Sequence, residues 1–452
     1  MFGAGYCLVV RKDCGLEAVM FQSVMFFGLV CGSICVQSRS FSASRLDAAQ
    51  YSPTHGTYII QCGIECCGRF DLSRLASAVF RVATALPLLS SRYVCENGVP
   101  VRWELTGDLP EMVTVRYRSL PEEAALPHRM EGRPPLHVIV CRMRDHDDLL
   151  VVMDHVATDA RGMFVVLSLL ADAYAGREFS VPDQPESRGI EKLFEQVSPD
   201  VLRAVAERSR QEVGLYYPWT SPFTRAGAHG SLRIVHRVIS SEDFLRIHAA
   251  ARSFGATVQD ILLAAFASAL QTLGSSDPVP LESVMDLRPV FGPGASGWVG
   301  NFSANYRLTL SCRDGLRETV LQSAAFGRSF KANHPEAVCA LRFLDSSVRR
   351  EMDILLPEDV PGLDLRSPFL SNVGVIPSSV GSFGDGITVS AVWIVTDFVS
   401  GRYPSLVAGT WNGSLHLSAA VSFADTSVDR IFDQMISSLF SLVDLKEGHI
   451  SE

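Results

Sequence analysis

A strongly apolar run at residues 149–153 ends abruptly in a polar turn, and a long apolar helix is predicted directly afterwards at residues 163–174. This order predicts an α/β arrangement with the turn at the edge of a sheet. The turn carries His155 and Asp159. A histidine at the end of a buried strand is rigidly held and accessible to a substrate, which suits a general base whose pKa lies near the working pH.

Spacing alone does not decide what this histidine does. A histidine and an aspartate four residues apart also occur by chance as surface residues or as helix caps, and a short motif is only a hypothesis until its structural context agrees. Both interpretations therefore stay open at this point.

Composition excludes some classes of protein. The chain has 452 residues and is 47% hydrophobic, which is enough for a large core and predicts two or three domains. Its net charge is -9 and it contains no run of lysines or arginines, so we expect no nucleic-acid partner.

The cysteines predict neither a disulfide framework nor a metal site. The chain has 11 of them, an odd number, and no Cys-x-x-Cys pair. Several lie in apolar or strand-like runs, where buried reduced thiols are a better explanation than zinc ligands. We therefore expect a cytoplasmic location and no metal or other cofactor.

The segment at residues 18–36 is mostly apolar and is close to the ~20 residues that span a bilayer. It could be a membrane anchor or a secretory signal, although Asp13 and Glu17 place negative charge where a signal carries positive charge. A third interpretation is that the native start lies downstream. We therefore treat residues 1–42 as an N-terminal hydrophobic extension and predict the fold from the rest.

Hydrophobic periodicity divides the rest of the chain into two similar halves. In the first half it predicts a strand at residues 57–67, a helix at 72–86, and a hairpin with strands at 136–143 and 149–153. The acidic turn of this hairpin, at residues 145–148, is predicted to be a solvated loop.

The second half repeats the alternation of strands and helices. Strands are predicted at residues 231–239, 281–285, 303–310, 387–395, 406–411 and 415–421, and helices at 241–251, 258–273 and 427–445. We therefore predict an N-terminal lobe at residues 43–180, a crossover linker at 181–230 and a C-terminal lobe at 231–452. Two α/β lobes that share a cleft are the simplest architecture, and clefts of this kind hold small-molecule sites.

Several short motifs occur in the order that one protein superfamily shows. They are Asp154-His155-Val156-Ala157-Thr158-Asp159-Ala160 after the strand, Pro134-Pro135-Leu136-His137-Val138 before it, Gly255-Ala256-Thr257-Val258-Gln259-Asp260, Met285-Asp286-Leu287-Arg288-Pro289, Gly300-Asn301-Phe302, Ser371-Asn372-Val373-Gly374 and Trp411-Asn412-Gly413-Ser414. With these motifs the chain resembles the superfamily of thioester-dependent acyltransferases, whose signature is His-His-x-x-x-Asp-Gly. That superfamily includes nonribosomal peptide condensation domains, plant alcohol acyltransferases and polyketide-associated acyltransferases of mycobacteria.

The resemblance implies an α/β fold of two chloramphenicol-acetyltransferase-like lobes, each a mixed β-sheet flanked by helices, that form a pseudo-dimer with a central channel. It also implies direct transfer of an acyl group from a thioester of coenzyme A, or of the phosphopantetheine of a carrier protein, to a hydroxyl or amine. The implied partners are this acyl donor, a small secondary-metabolite acceptor, and a carrier protein or synthase that presents the donor.

The resemblance also assigns roles to individual residues. His155 is implied to be the general base, which removes the acceptor proton and then protonates the leaving sulfur. Asp159 is implied to be structural and to pair with Arg288, which fixes the loop that carries His155. Asn301 and Asn372 are candidates for lining the channel or for donating to the developing oxyanion, although turn formation explains them nearly as well.

Two positions depart from the family signature, because Asp154 replaces the first histidine and Ala160 replaces the glycine. Asp154 is a candidate for bonding the backbone or tuning His155, and an alanine at position 160 is strained only if its backbone needs a positive φ. These departures motivate an alternative function as a cyclase or as a binding or pathway-assembly protein. A metal-dependent hydrolase with Asp154, His155 and Asp159 as ligands is the least favoured alternative, because no further ligand can be named.

Overall fold

The computed structural model describes residues 40–44, 47, 51–52, 56–57, 59–97, 99–106, 112–185, 191–213, 232–275, 277–343, 367–396, 404–422 and 427–448. The apolar segment predicted at residues 18–36 lies outside these residues, and so does the part of the predicted crossover at residues 214–230.

Helices and strands occur in both halves of the described chain. The strands of the described residues, β1 to β16 in chain order, are Ser40–Ser42, Tyr51–Ser52, Gly56–Thr57, Ile59–Cys67, Ser91–Glu96, Val99–Leu105, Val113–Arg116, Leu136–Arg142, Asp147–Asp154, Leu232–Ile239, Val279–Asp286, Ser303–Leu310, Phe369–Val375, Thr388–Thr396, Ser405–Trp411 and Ser414–Ser422. The α-helices, α1 to α10, are Leu72–Ala85, Leu120–Ala124, Ala160–Ala175, Glu191–Gln196, Pro199–Val213, Ser241–Ser253, Val258–Thr272, Leu316–Ala332, Pro335–Phe343 and Ser427–Gly448.

The first lobe is built on a five-stranded mixed sheet with the strand order β14-β4-β9-β8-β7. Strand β9 lies in its centre, where it pairs antiparallel with both β4 and β8. Every residue of β9 is buried, since Leu149, Val151 and Met153 pack in one apolar cluster with α1 and α3, whereas Leu150 and Val152 pack in another on the opposite face. Because both faces of β9 are buried, its register is fixed, and so is the position of the turn that follows it.

The prediction of a solvated acidic turn at residues 145–148 is wrong for two of its carboxylates. Asp147 is fully buried and receives hydrogen bonds from Nε and Nη2 of Arg142, at 2.9 and 2.7 Å, and from the N–H of Phe70 at 3.0 Å. Asp148 accepts a bond of 2.8 Å from the N–H of Cys66. Strand β9 therefore begins at Asp147, and these two carboxylates satisfy buried donors that a charge pattern in the sequence does not reveal.

The second lobe is built on a six-stranded mixed sheet with the order β10-β16-β15-β13-β11-β12. Helices α6, α7, α8 and α10 supply a separate apolar core against this sheet. Within the part of the chain that the structure describes, no helix taken singly has the length and apolar character to span a membrane. Helices α6 and α7 reach both only when they are taken together, across a bend of 97°.

Strand β14 belongs to the C-terminal half of the chain, yet it pairs antiparallel with β4 of the first sheet, from Thr388 opposite Cys67 to Thr396 opposite Ile60. Its Trp393 covers Gly63, where an added Cβ would lie only 2.3 Å from the indole ring. The lobe boundaries stay a prediction, and the topology adds an exchange of one strand that they did not include.

Candidate active site

His155 directly follows β9 and begins the turn that leads to α3. Its imidazole is partly buried, and its Nδ1 lies 3.2 Å from Oδ1 of Asn301. Burial lowers the pKa of His155, and this effect outweighs its hydrogen bonds to its own backbone carbonyl and to Asn301 and the charge of Asp159. The imidazole is therefore neutral near pH 7, which is the state that a general base needs.

Asn301 reaches the His155 turn from the second lobe, where it precedes β12. Its side chain is 1% exposed, and its Nδ2 donates to the carbonyl oxygens of His155 and Val156 at 2.8 and 3.1 Å. One amide from the second half of the chain thus holds both the backbone and the ring of His155.

Asp159 and Arg288 form a bidentate ion pair below the same turn. Nη1 of Arg288 lies 3.0 Å from Oδ2 of Asp159, and Nη2 lies 2.9 Å from Oδ1. Burial by itself raises the pKa of the Asp159 carboxyl, but the Arg288 guanidinium and backbone N–H donors outweigh it and hold the pKa below its ordinary value. Asp159 also caps helix α3, because its Oδ1 accepts from the N–H of Gly162 at 3.0 Å. The capping role and the ion-pair role are therefore both present.

The Arg288 guanidinium organises the loop that precedes β12 as well. It donates to the carbonyl oxygen of Trp298 through Nε and Nη2, to that of Gly300 through Nη2, and to Oδ1 of Asp286 through Nη1. Gly300 in turn accepts a bond of 3.2 Å from the N–H of Asp159. One buried cation thus joins the turn that carries His155 to the loop that carries Asn301.

Solved structures with the same fold include three proteins with full-length similarity. They are the epimerization domain from the third module of tyrocidine synthetase B (TM-score 0.65, 16% identity, 90% of this chain and 96% of that chain), polyketide synthase associated protein 5 from Mycobacterium tuberculosis (0.63, 17%, 88% and 97%) and trichothecene 15-O-acetyltransferase from Fusarium sporotrichioides (0.66, 14%, 89% and 95%). The chain has the fold of the condensation-domain and acyltransferase superfamily. The resemblance carried by the motifs is thereby confirmed for the fold, including its two chloramphenicol-acetyltransferase-like lobes.

Sequence similarity within this fold is low. The uncharacterized protein Rv2305 of Mycobacterium tuberculosis is 27% identical over 361 residues, which cover 72% of this chain and 80% of that protein. No protein-family model matches the chain. The solved structures therefore show the fold alone, and the reaction has to be argued from the site.

Gln184, which the sequence did not single out, fastens the start of the predicted crossover to the loop before β12. Its Nε2 donates to the carbonyl oxygen of Gly297 at 3.1 Å, and its Oε1 accepts from the N–H of Val299 at 2.8 Å. The intervening Trp298 provides the carbonyl that Arg288 binds. A glutamine in a polar loop carries no periodic or motif signal, so only the folded structure reveals this contact.

Asp154 takes the position of the first histidine in the signature of the condensation-domain superfamily. It is 1% exposed, and its Oδ1 accepts a bond of 2.9 Å from the N–H of Val156. Burial raises the pKa of Asp154 to about 7, with a further increase from the charge of Asp47, whereas the bonds from Val156 and the Tyr93 hydroxyl act in the opposite direction. A carboxyl buried this deeply is placed to support the turn rather than to touch a substrate.

Ala160 is not strained in this fold. It is the first residue of α3, directly after the Asp159 cap, and it is absent from the positive-φ residues of the described chain. The close approach lies two residues later at Gly162, where an added Cβ would be 2.1 Å from Oγ1 of Thr158 and 3.1 Å from the N of Gly300. The glycine that this turn requires is therefore Gly162.

Asn372 lies on β13, apart from the hydrogen bonds that hold the His155 turn. Its Oδ1 accepts from the N–H of Gly374 at 3.0 Å, at the point where the pairing of β13 with β15 shifts register. Turn formation accounts for this contact. Arg161 at the start of α3 donates to the carbonyl oxygen of Val375 at 3.3 Å and so contacts the same irregular stretch.

Metal binding by Asp154, His155 and Asp159 does not fit the geometry, because Arg288 occupies both oxygens of Asp159. Among the described residues, no group of three or more His, Cys, Asp or Glu side chains is placed to hold a metal ion.

Proposed function

We propose that the chain is an acyltransferase that moves an acyl group from a thioester of coenzyme A or a carrier protein to a hydroxyl or amine of a small-molecule acceptor. The observation that carries this proposal is the placement of His155, a partly exposed imidazole in a turn that Asn301 and Arg288 hold from the second lobe. Burial lowers the pKa of this imidazole, which favours its neutral form. A neutral imidazole in a fixed turn between two lobes is suited to accept a proton from a group bound beside it.

The proposed reaction needs one base and no covalent enzyme intermediate. His155 accepts the proton of the acceptor as the acceptor oxygen or nitrogen attacks the thioester carbonyl carbon. The carbon–sulfur bond then breaks, and the same proton passes from the imidazolium to the leaving sulfur. A base that serves both steps needs a fixed position between the two substrates. The Asp159–Arg288 ion pair supports this position because it holds the turn that carries His155.

The proteins of similar fold support acyl-transfer chemistry and an association with a synthase. By their names, one is part of a peptide synthetase, one is associated with a polyketide synthase and one is an acetyltransferase. We propose from these names that a carrier protein or synthase is a partner of this chain. From the free cysteines we propose that the reaction takes place in the cytoplasm.

The test of the base is His155→Ala, assayed with a panel of acyl-coenzyme A donors and alcohol or amine acceptors by release of free thiol. We expect the rate to fall about 10²- to 10⁴-fold, which is the usual contribution of a general base. The matched control is His146→Ala, because His146 lies in the turn at the other end of β9 and pairs there with Asp145. Unchanged product formation in His155→Ala would rule out base catalysis by this imidazole.

The second candidate function is a cyclase or a binding protein without transfer chemistry. Asp154 favours it, because a buried carboxyl stands where the signature has a histidine. This candidate predicts that the wild type binds an acyl thioester in calorimetry but releases no thiol with any donor and acceptor. Thiol release that does not require an acceptor would instead indicate hydrolysis.

A further inference from the structure

The sheet of the second lobe turns one face toward the first lobe, and Glu282 lies on this face. Register across β11, β13, β15 and β16 puts Glu282 on the same side of the sheet as Ser418. Ser418 donates a hydrogen bond from Oγ to the carbonyl oxygen of Ile394, on the strand β14 that belongs to the first sheet. The opposite side, which includes Leu281 and Leu308, packs on helices α6, α7, α8 and α10. The side chains beside Glu282 therefore face the first lobe.

Strand β12 extends this face away from the candidate active site. Its alternate side chains, those of Ser303, Asn305 and Arg307, are partly buried on the face, whereas the residues between them are buried on the other side. Antiparallel register with β11 puts Arg307 directly opposite Glu282. The row begins after Asn301, the residue that bonds the turn of the proposed base. At ~3.3 Å per residue, Arg307 lies on the order of 20 Å from Asn301 along the chain.

Glu282 holds the guanidinium of Arg307 but leaves most of its donors unused. Oε2 of Glu282 lies 3.6 Å from Nε of Arg307, and Oε1 accepts from Nδ2 of Asn305 at 3.1 Å. Within the described part of the chain, the Arg307 side chain makes this one ion pair and no hydrogen bond, although its Nε is buried. Because Glu282 approaches the guanidinium at Nε, the edge formed by Nη1 and Nη2 stays available for a second oxyanion.

A guanidinium edge on an interlobe face has a defined chemical preference. Its two parallel N–H groups match two oxygens of a carboxylate or phosphate, and a side chain that is 18% exposed meets less competition from water than a surface arginine does. Ser303 and Asn305 are uncharged, so the row between Asn301 and Arg307 offers hydrogen bonds without a charge of its own. A neutral polar row that ends in a cation fits an elongated substrate with an anionic far end.

We propose that Arg307, oriented by Glu282, is an oxyanion subsite that selects substrates with a carboxylate or phosphate far from the reacting atoms. It rests on the proposed transfer reaction, in which two different substrates reach His155. The thioester donor carries a phosphate at the far end of its pantetheine arm, and an elongated acceptor can carry a carboxylate. Arg307 can bind either group through two N–H donors.

Matched substrate pairs test the subsite and identify the source of the oxyanion. The donor pair is an acyl-phosphopantetheine and the acyl-pantetheine that lacks the phosphate. The acceptor pair is a long-chain ω-hydroxy acid and its primary amide. We expect the wild type to prefer the charged member of one pair by about tenfold or more in kcat/KM, and Arg307→Gln to lose this preference because the KM of that member rises. The pair that shows the effect identifies the substrate that Arg307 binds.

The matched control is Arg313→Gln, because Arg313 follows the same strand but is 73% exposed and pairs with Asp277. It should keep the preference of the wild type. Arg307→Lys retains a positive charge opposite Glu282 without the planar fork, so we expect an intermediate preference, and this variant carries the test if Arg307→Gln does not fold. A wild type that treats both members of each pair alike would overturn the proposal. So would a loss of rate in Arg307→Gln that is equal for both members, since it would show that Arg307 only supports the fold.

Binding can also be measured without turnover. In arginine-labelled protein, ¹⁵N spectra should contain an Nε–H signal that is absent from Arg307→Lys. We expect this signal to shift when either phosphopantetheine or the hydroxy acid is added, and to stay in place with pantetheine or the amide. No shift with either anionic probe would overturn the subsite. A shift without thiol release from any donor and acceptor would leave the subsite in place and contradict the proposed function.

Discussion

A buried carboxylic acid lies one residue before the imidazole that the proposed reaction needs. Burial raises the pKa of Asp154 to about 7, whereas an aspartate in an unfolded chain titrates near ~3.9. The folded state therefore binds this proton more tightly than the unfolded state does. Its contribution to stability is complete below ~3.9 and is lost as the pH rises to about 7.

Asp154→Asn removes this titration while it keeps an oxygen that can accept from the N–H of Val156. We expect the variant to resemble the wild type in urea unfolding at pH 4 and to exceed its free energy of unfolding at pH 8 by on the order of 4 kcal/mol. The control is Asp314→Asn at an exposed aspartate. A pH dependence identical to that of the wild type would show that Asp154 is already ionised in the folded protein.

Some of these residues could be predicted from the sequence and others could not, and the difference has a physical reason. His155 was identified because an apolar strand and an apolar helix enclose it, which is a local pattern. Its contact with Asn301 spans 146 positions, and neither residue carries a signal of the other. The pairing of Asp159 with Arg288 came from the family resemblance, since charge spacing alone does not select one arginine among many.

At the scale of elements, the site consists of two loops that one cation joins. The first loop connects β9 to α3, and the second connects β11 to β12. Arg288 binds Asp159 of the first loop and the carbonyl oxygens of Trp298 and Gly300 in the second. The planar guanidinium is needed here because these acceptors lie in several directions around one buried centre.

Arg288→Lys retains the charge but offers a single nitrogen, so some of these buried acceptors lose their donor. We expect the free energy of unfolding to fall by roughly 2–5 kcal/mol, because each unsatisfied buried acceptor costs about 1–3 kcal/mol. We also expect kcat to fall at least about tenfold, since the His155 turn loses its anchor. Urea unfolding and the thiol-release assay measure the two effects.

The control for Arg288→Lys is Arg237→Lys, which alters a more exposed arginine paired with Asp429. Exposed ion pairs contribute about 0–1 kcal/mol, so this control should change stability little. Equal effects of the two substitutions would mean that the buried position of Arg288 has no special importance.

Local elements were largely predictable, and their partners were not. The helices from Leu72, Ser241 and Val258 and the hairpin of β8 and β9 follow from apolar periodicity, because burial of one face or of both produces that pattern. Strand β14 was predicted near its observed position, but its apolar residues carry no information about which sheet it joins. Pairing partners are a property of the folded whole, so β14 was not placed beside β4.

At the scale of the molecule, that strand makes the two lobes interdependent. Without β14, strand β4 would be an apolar edge strand, and Gly63 would lose the Trp393 ring that covers it. Unpaired apolar edges promote aggregation. The first sheet is therefore complete only when the second half of the chain supplies its fifth strand.

A fragment of residues 40–213 tests this dependence. We expect it to elute as large oligomers or aggregates in size-exclusion chromatography, because β4 lacks its partner. The same fragment with residues 385–396 appended through a Gly/Ser linker should elute as a monomer. A monomeric fragment without the added strand would show that the first lobe folds independently.

The exchange also has a consequence for biosynthesis. Trp393 donates a hydrogen bond to Glu65 across 328 positions of the chain. During translation, β4 therefore leaves the ribosome long before β14 is synthesised. The edge of β4 stays unpaired while most of the polypeptide is made. Strand pairing between residues far apart in the sequence slows folding, and hydrophobic surface stays exposed until the pairing forms. Translation rate and chaperone supply should therefore control how much of this protein a host cell yields.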